Sequence, residues 1–220
     1  MNKLTEIGLQ TRTDKAYGHR FTEFYYDYCI KYTSPKLLEV GVSDGYSLDM
    51  WSKFYETGEI VGMDINISAF ISTQRIPYDA TLQEVKMGNI TVYSGDQENK
   101  DDLLKSLNYH KEYDIIIDDG GHTMKQQQIT LGTLFPYVKS GGIFIMEDLH
   151  TSFHGGYNPF DGNLSTYEII EKISMNERFE SPYITQDQVN YILDNTKYAK
   201  LFYHEFNDRG SHSTSIIFKK

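Results

Sequence analysis

The sequence predicts an α/β fold: a mainly parallel sheet with helices on both faces, closed by an antiparallel hairpin. Three observations carry this. Short apolar runs alternate with amphipathic stretches between residues 36 and 146. The run Ile115, Ile116, Ile117 is unbroken, which suits a strand covered on both faces. Two further strand-like runs near the end flank a turn-rich segment, a hairpin pattern.

Element by element, residues 1–19 are polar and read as irregular. Over 20–33, Phe21, Phe24, Tyr25, Tyr28, Cys29 and Tyr32 recur on one helical face. Cys29 is the single cysteine, so no intramolecular disulfide or thiolate cluster is available, and it reads as packing. Segment 36–40 is a first strand, 46–55 a helix and 59–65 a second strand. A less regular stretch leads to a third strand at 90–93 and a short helix at 99–107, whose first turn Asp101 and Asp102 suit. Strand four is 113–117. A helix follows over 124–138, with Leu131, Leu134, Phe135 and Val138 along one stripe. Residues 139–142 (Lys-Ser-Gly-Gly) turn the chain into strand five at 143–146. Beyond a Gly- and aromatic-rich loop at 151–163 come a helix at 165–178, a weaker one at 187–193, and strands at 201–206 and 214–218 joined by a turn at 207–212.

The chain has 220 residues, no internal repeat and no linker, so one domain is expected over 1–220. Lys and Arg number 21 against 31 Asp and Glu, a net charge of −10 that argues against nucleic acid as partner. No apolar stretch approaches ~18 residues and the start lacks a signal-peptide core, so no membrane contact and a cytoplasmic location are expected.

Sheets of this kind bind ligands at the carboxyl ends of their strands. The first strand runs into Glu39-Val-Gly41-Val-Ser43-Asp-Gly45 and a helix. Gly41 permits a tight turn and close approach of backbone to ligand, and Gly45 opens the helix without a side chain in the way. The spacing is not the Gly-x-Gly-x-x-Gly of dinucleotide enzymes, which speaks against a nicotinamide dehydrogenase. Asp64 ends the second strand about 20 residues past this loop, placed to accept from both ribose hydroxyls or to cap a helix. Asp96 and Gln97 follow the third strand and offer a carboxylate and an amide to an adenine edge.

Strand four ends in Asp118-Asp119-Gly120-Gly121-His122, and strand five in Glu147-Asp148-Leu149-His150. Alternation points Asp118 and Asp119 to opposite sides, one toward the nucleoside and the other toward a second site. Asp119, Glu147 and Asp148 clustered together would repel strongly without a cation. An oxygen-only set that leaves positions for water and substrate suits Mg²⁺. His122, three residues after Asp119, is the candidate base, since imidazole titrates near neutrality. His150 is a candidate substrate or outer contact.

Taken together, these features resemble the class I S-adenosylmethionine methyltransferases. Thr13-Asp-Lys15 with His19 and Tyr25-Tyr26, Gly95-Asp-Gln97, Ile116-Ile-Asp-Asp-Gly-Gly-His122 and Met146-Glu-Asp-Leu-His-Thr-Ser-Phe153 resemble more closely the metal-dependent sugar O-methyltransferases of antibiotic biosynthesis, of the mycinamicin and tetracenomycin rhamnose type. The likeness runs from about residue 13 to 155, with Gly121 where serine is common. It implies a Rossmann-like fold with a mainly parallel seven-stranded sheet, the helical segment 1–35 covering the cofactor site and 36–220 forming the α/β core. It implies S-adenosyl-L-methionine as cofactor, held by Glu39, Gly41, Ser43, Gly45, Asp64, Asp96, Gln97 and Asp118. It also implies Mg²⁺ on Asp119, Glu147 and Asp148, with His122 as base. The expected reaction is O-methylation of a sugar hydroxyl on a small molecule or glycan, by a chain able to form a homo-oligomer. A catechol-type acceptor and a non-catalytic cofactor-binding module are the alternatives.

Overall fold

Strand order in the sheet is β3-β4-β2-β1-β5-β6-β8-β7, with β1 (Lys36–Val40), β2 (Glu59–Asp64), β4 (Ile90–Ser94), β5 (Tyr113–Asp118) and β6 (Val138–Met146) all parallel. The computed structural model describes residues 1–77, 79, 81–206 and 210–220, without the side chains of 204–206 and 210–212. At one edge β7 (Thr196–Phe206) and β8 (Gly210–Lys219) run antiparallel, as the hairpin pattern predicts. The turn expected at 207–212 lies outside the described residues at 207–209 and is already strand from Gly210.

Among the described residues the sheet has eight strands, not seven. The additional one is β3 (Glu84–Met87), antiparallel to β4 across Gly88 and Asn89. Only Val85 of its four residues is buried, so hydropathy scarcely marks it; the Gly-Asn pair between two short runs is the available hairpin signal. The stretch before it also holds a short helix, α5 (Ser68–Thr73).

Residues 1–19 are largely helical, as the resemblance implies for 1–35 and as their polar composition does not. In α1 (Lys3–Thr11), Asn2 caps the first turn by accepting from the Thr5 amide at 2.8 Å. The buried positions Leu4, Thr5, Gly8 and Thr11 have helical spacing, but only Leu4 is large and apolar, so the period is invisible to hydropathy. Next come α2 (Asp14–Tyr17) and α3 (Thr22–Cys29), the latter shorter than the aromatic stripe suggests.

Elsewhere the helices α4 (Tyr46–Phe54), α6 (Lys100–Leu104), α7 (Met124–Leu134), α8 (Thr166–Ser174) and α9 (Gln186–Asn195) stand where the periodicity places them. α7 stops four residues early because Pro136 tightens 135–137 into a 3₁₀ turn. α8 ends before Asn176, whose φ of 55° is left-handed. The 139–142 turn is absorbed into β6 as an irregularity in its pairing with β5.

Alternation along the strands divides the core. Leu38, Ile116 and Phe144 pack on one face beside residues of α7, α8 and α9, including Leu131, Ile169 and Ile192. Leu37, Ile115, Ile117 and Ile145 pack on the other beside Leu4, Tyr25, Trp51 and Phe70 from α1, α3, α4 and α5. Connections leave β1 toward β2 on one side and β5 leads to β6 on the other, so the strand order reverses between β1 and β5. That is the switch point where open α/β sheets form a crevice at the strands' carboxyl ends.

Candidate active site

A cavity of about 500 Å³ opens at this switch point. Gly41, Ser43, Gly45, Asp64, Asp96 and Gln97 line it, together with Asp119, His122 and Asp148. Arg12, Asp14, Tyr17 and His19 close its N-terminal side. Glu39 and Asp118 do not line the cavity. Both are buried beneath it, at 0% and 1% exposure.

Backbone sterics fix the loop after β1. Gly41 has φ +93°, and a Cβ there would overlap the Asp119 carbonyl oxygen. Only glycine lets β1 and the loop after β5 approach this closely. Asp64 Oδ2 accepts from the amides of Val42 and Ser43 at 2.8 and 2.9 Å, and Oδ1 from Asn66 N at 2.9 Å. The carboxylate thus braces the glycine loop itself, and Asp64 also lines the cavity.

Gln97 serves the fold more than the sequence suggests. Its Nε2 donates to Asp118 Oδ1 at 2.7 Å and Thr130 Oγ1 at 2.9 Å, and its Oε1 accepts from Gly121 N at 2.8 Å. Both amide protons are used, so Gln97 lines the cavity as a brace for the loop after β5. Asp118 has its carboxyl pKa pushed up to about 7, first by burial. Asp96 Oδ1 is turned back onto Glu98 N at 2.8 Å.

The carboxylates divide into two groups about Asp119. On the cavity side, Asp119, His122 and Asp148 offer ligand atoms within 4.8 Å of one another. His122 Nε2 is 3.3 Å from Asp148 Oδ2, while His19 and His150 bring Nδ1 to 3.7 and 3.8 Å from Asp148 Oδ1. His122 and Asp148 hold left-handed backbone, φ 62° and 53°, a conformation that costs non-glycine residues energy and collects at functional sites.

On the inner side, Lys15 of α2 reaches from the N-terminal segment into the sheet. It is 1% exposed, with Nζ hydrogen-bonded to Asp119 Oδ2, 2.8 Å from Glu147 Oε1 and 3.2 Å from Glu39 Oε1. Glu147, expected beside Asp119 and Asp148, is fully buried against this lysine and stands outside the cavity-side group. Burial alone would lower the Lys15 pKa, but Asp119, Glu147 and Glu39 outweigh it and hold the ammonium well above its ordinary value. Burial raises the pKa of all three carboxyls, that of Glu39 to about 7. Sequence reasoning gave Lys15 no role: the Thr13-Asp-Lys15 motif marks it within the resemblance, but composition and spacing do not show that its ammonium meets acids 104 and 132 residues away.

Comparison with known proteins agrees with this architecture. The chain is 28% identical over 186 residues to demethylmacrocin O-methyltransferase of Streptomyces fradiae, covering 79% of this chain and 43% of that one. It is 30% identical over 164 residues to mycinamicin VI 2''-O-methyltransferase of Micromonospora griseorubida, covering 70% and 38%. The chain therefore spans less than half the length of these relatives. Among solved structures, the MycE methyltransferase of the mycinamycin pathway, in complex with Mg, SAH and mycinamycin VI, superposes with a TM-score of 0.73 at 23% identity, over 99% of this chain and 53% of that one. An O-methyltransferase from Bacillus cereus in complex with SAH superposes at 0.55 and 12% identity, over 100% and 92%. Both likenesses are of fold. Residues 38–149 match the model of a methyltransferase domain, a span that holds the glycine loop, Asp64, Gln97, Glu39, Asp118, Asp119, Glu147 and Asp148, and the chain belongs to that family.

Proposed function

We propose that the protein is an S-adenosylmethionine-dependent, Mg²⁺-dependent O-methyltransferase acting on a sugar hydroxyl. One observation carries the reading: the glycine loop braced by Asp64 and the Asp119–His122–Asp148 group line the same cavity. A nucleoside cofactor on the first would stand beside an acceptor on the second. The relatives named above, O-methyltransferases that include a mycinamicin 2''-O-methyltransferase, support the acceptor class.

The donor set fits a hard divalent ion. Asp119 and Asp148 both face the cavity, and Asp148 Oδ1 is buried without a hydrogen-bond partner, an orphaned acceptor of the kind a cation satisfies. Asp119 and Asp148 would hold the ion, which when bound lowers the pKa of the acceptor hydroxyl. His122 takes the acceptor's proton at Nε2, where Asp148 Oδ2, 3.3 Å away, stabilises the imidazolium. Asp64 and the loop 41–45 orient the cofactor's ribose, and the cavity walls hold donor and acceptor in line. The single domain spans 1–220, with 1–35 lying over the cofactor: Arg12, Asp14, Tyr17 and His19 on the cavity wall support this.

Mg²⁺ prefers six oxygens, so two carboxylates leave room for a pair of neighbouring hydroxyls. A rhamnoside should be methylated much faster than its deoxy analogue lacking the adjacent hydroxyl, and faster than a catechol. Equal rates for diol and deoxy sugar would remove the chelation model, and a catechol preferred over both would move the acceptor class to phenols.

A further inference from the structure

Lys15 lines neither the nucleoside half nor the acid–base half of the cavity but holds Asp119 from behind, and it is among the most deeply buried charges of the described residues. Its ammonium faces three carboxylates, Glu39, Asp119 and Glu147, brought together from β1 and from the loops after β5 and β6. Three acids around one ammonium leave two negative charges in excess if all ionise. Glu39 Oε2 and Glu147 Oε2 are buried with no hydrogen-bond partner, so the cage has more acceptors than the lysine can satisfy. This is the donor set of a hard divalent ion with an ammonium at its centre.

We propose that Lys15 is a built-in cation, filling a carboxylate cage that otherwise takes a divalent ion and so limiting the site to a single metal on its Asp119–Asp148 side. Lys15 is thereby a positioning residue: it ties down one oxygen of Asp119 and leaves the other for the cavity. It also makes docking of the N-terminal segment part of assembling the site, because the cage closes only when α2 is in place. This rests on the metal-dependent reading above.

The test uses Mn²⁺ as the probe, an oxygen-seeking ion countable by calorimetry and by electron paramagnetic resonance. Wild type, Lys15→Ala and Lys15→Arg are compared as full chains. Removing one partner from a buried ionic cluster is strongly destabilising, so Lys15→Ala should melt well below wild type in chelator. Saturating Mn²⁺ should recover its Tm by more than it raises that of wild type, since a ligand of the native state stabilises by mass action. Lys15→Ala should bind one Mn²⁺ more than wild type, and Lys15→Arg, which keeps the charge, the same number as wild type. Lys15→Ala binding no additional ion, or failing to fold even in Mn²⁺, overturns the proposal. The number bound by wild type is a separate readout: none there would refute the metal-dependent reading, while the difference between variant and wild type still decides the role of Lys15.

Discussion

At the scale of single residues, the site separates groups that act in the cavity from groups that hold it open. His122 belongs to the first kind: it lines the cavity and its Nε2 is 3.3 Å from Asp148. His122→Ala should lower the methyl-transfer rate ~10²–10⁴-fold, the usual cost of losing a general base, with cofactor binding unchanged in calorimetry. A variant at full rate would move the base elsewhere. Glu39 belongs to the second kind. Burial pushes its folded pKa to about 7 from an ordinary 4.5, so between these values the folded state holds a proton that the unfolded chain has released. Stability due to Glu39 therefore falls as pH rises through that window. Glu39→Gln carries no such proton, and its Tm relative to wild type should rise from about pH 4.5 to 7 and then level off. A difference that is flat across the window would show that Glu39 is not so perturbed.

At the scale of elements, two glycines separate backbone conformation from close approach. Gly41 and Gly88 both have positive φ, +93° and +59°, but a Cβ on Gly88 meets nothing within 4 Å while one on Gly41 meets the Asp119 carbonyl. Gly88→Ala should cost only the conformational penalty, about 1 kcal/mol. Gly41→Ala must also displace the loop after β5, for an expected ~3 kcal/mol or more, ~6 °C or more in Tm, together with weaker cofactor binding. Equal melting shifts for the two variants would contradict the close approach. The parallel strands were legible in the sequence because each is covered on both faces and reads as a dense apolar run, Ile115 to Ile117 above all. α1 and β3 were not, since each rests on one large buried apolar residue, Leu4 or Val85, and owes the rest of its placement to capping or a tight turn.

At the scale of the whole molecule, the site is made where strand order reverses and a third wall arrives from residues 12–19. The acids were readable because each ends a strand, and strand ends meet. Strand alternation parts Glu147 from Asp148 as well, but the partner each one meets was not readable. That Glu147 turns inward to Lys15 and Asp148 outward to His122 depends on a left-handed backbone at Asp148 and a lysine from the far end of the chain. Gln97 likewise looks like a free amide in sequence and proves to be committed to Asp118, Thr130 and Gly121. The central claim joins cofactor, metal and acceptor in one cavity, and transfer of a radiolabelled methyl group from S-adenosylmethionine to a rhamnoside tests all three at once. The label should pass to the sugar with Mg²⁺, stop in EDTA and resume when Mg²⁺ is restored; transfer at full rate in a metal-free sample, or no transfer to any glycoside beside ready methylation of a catechol, would contradict it.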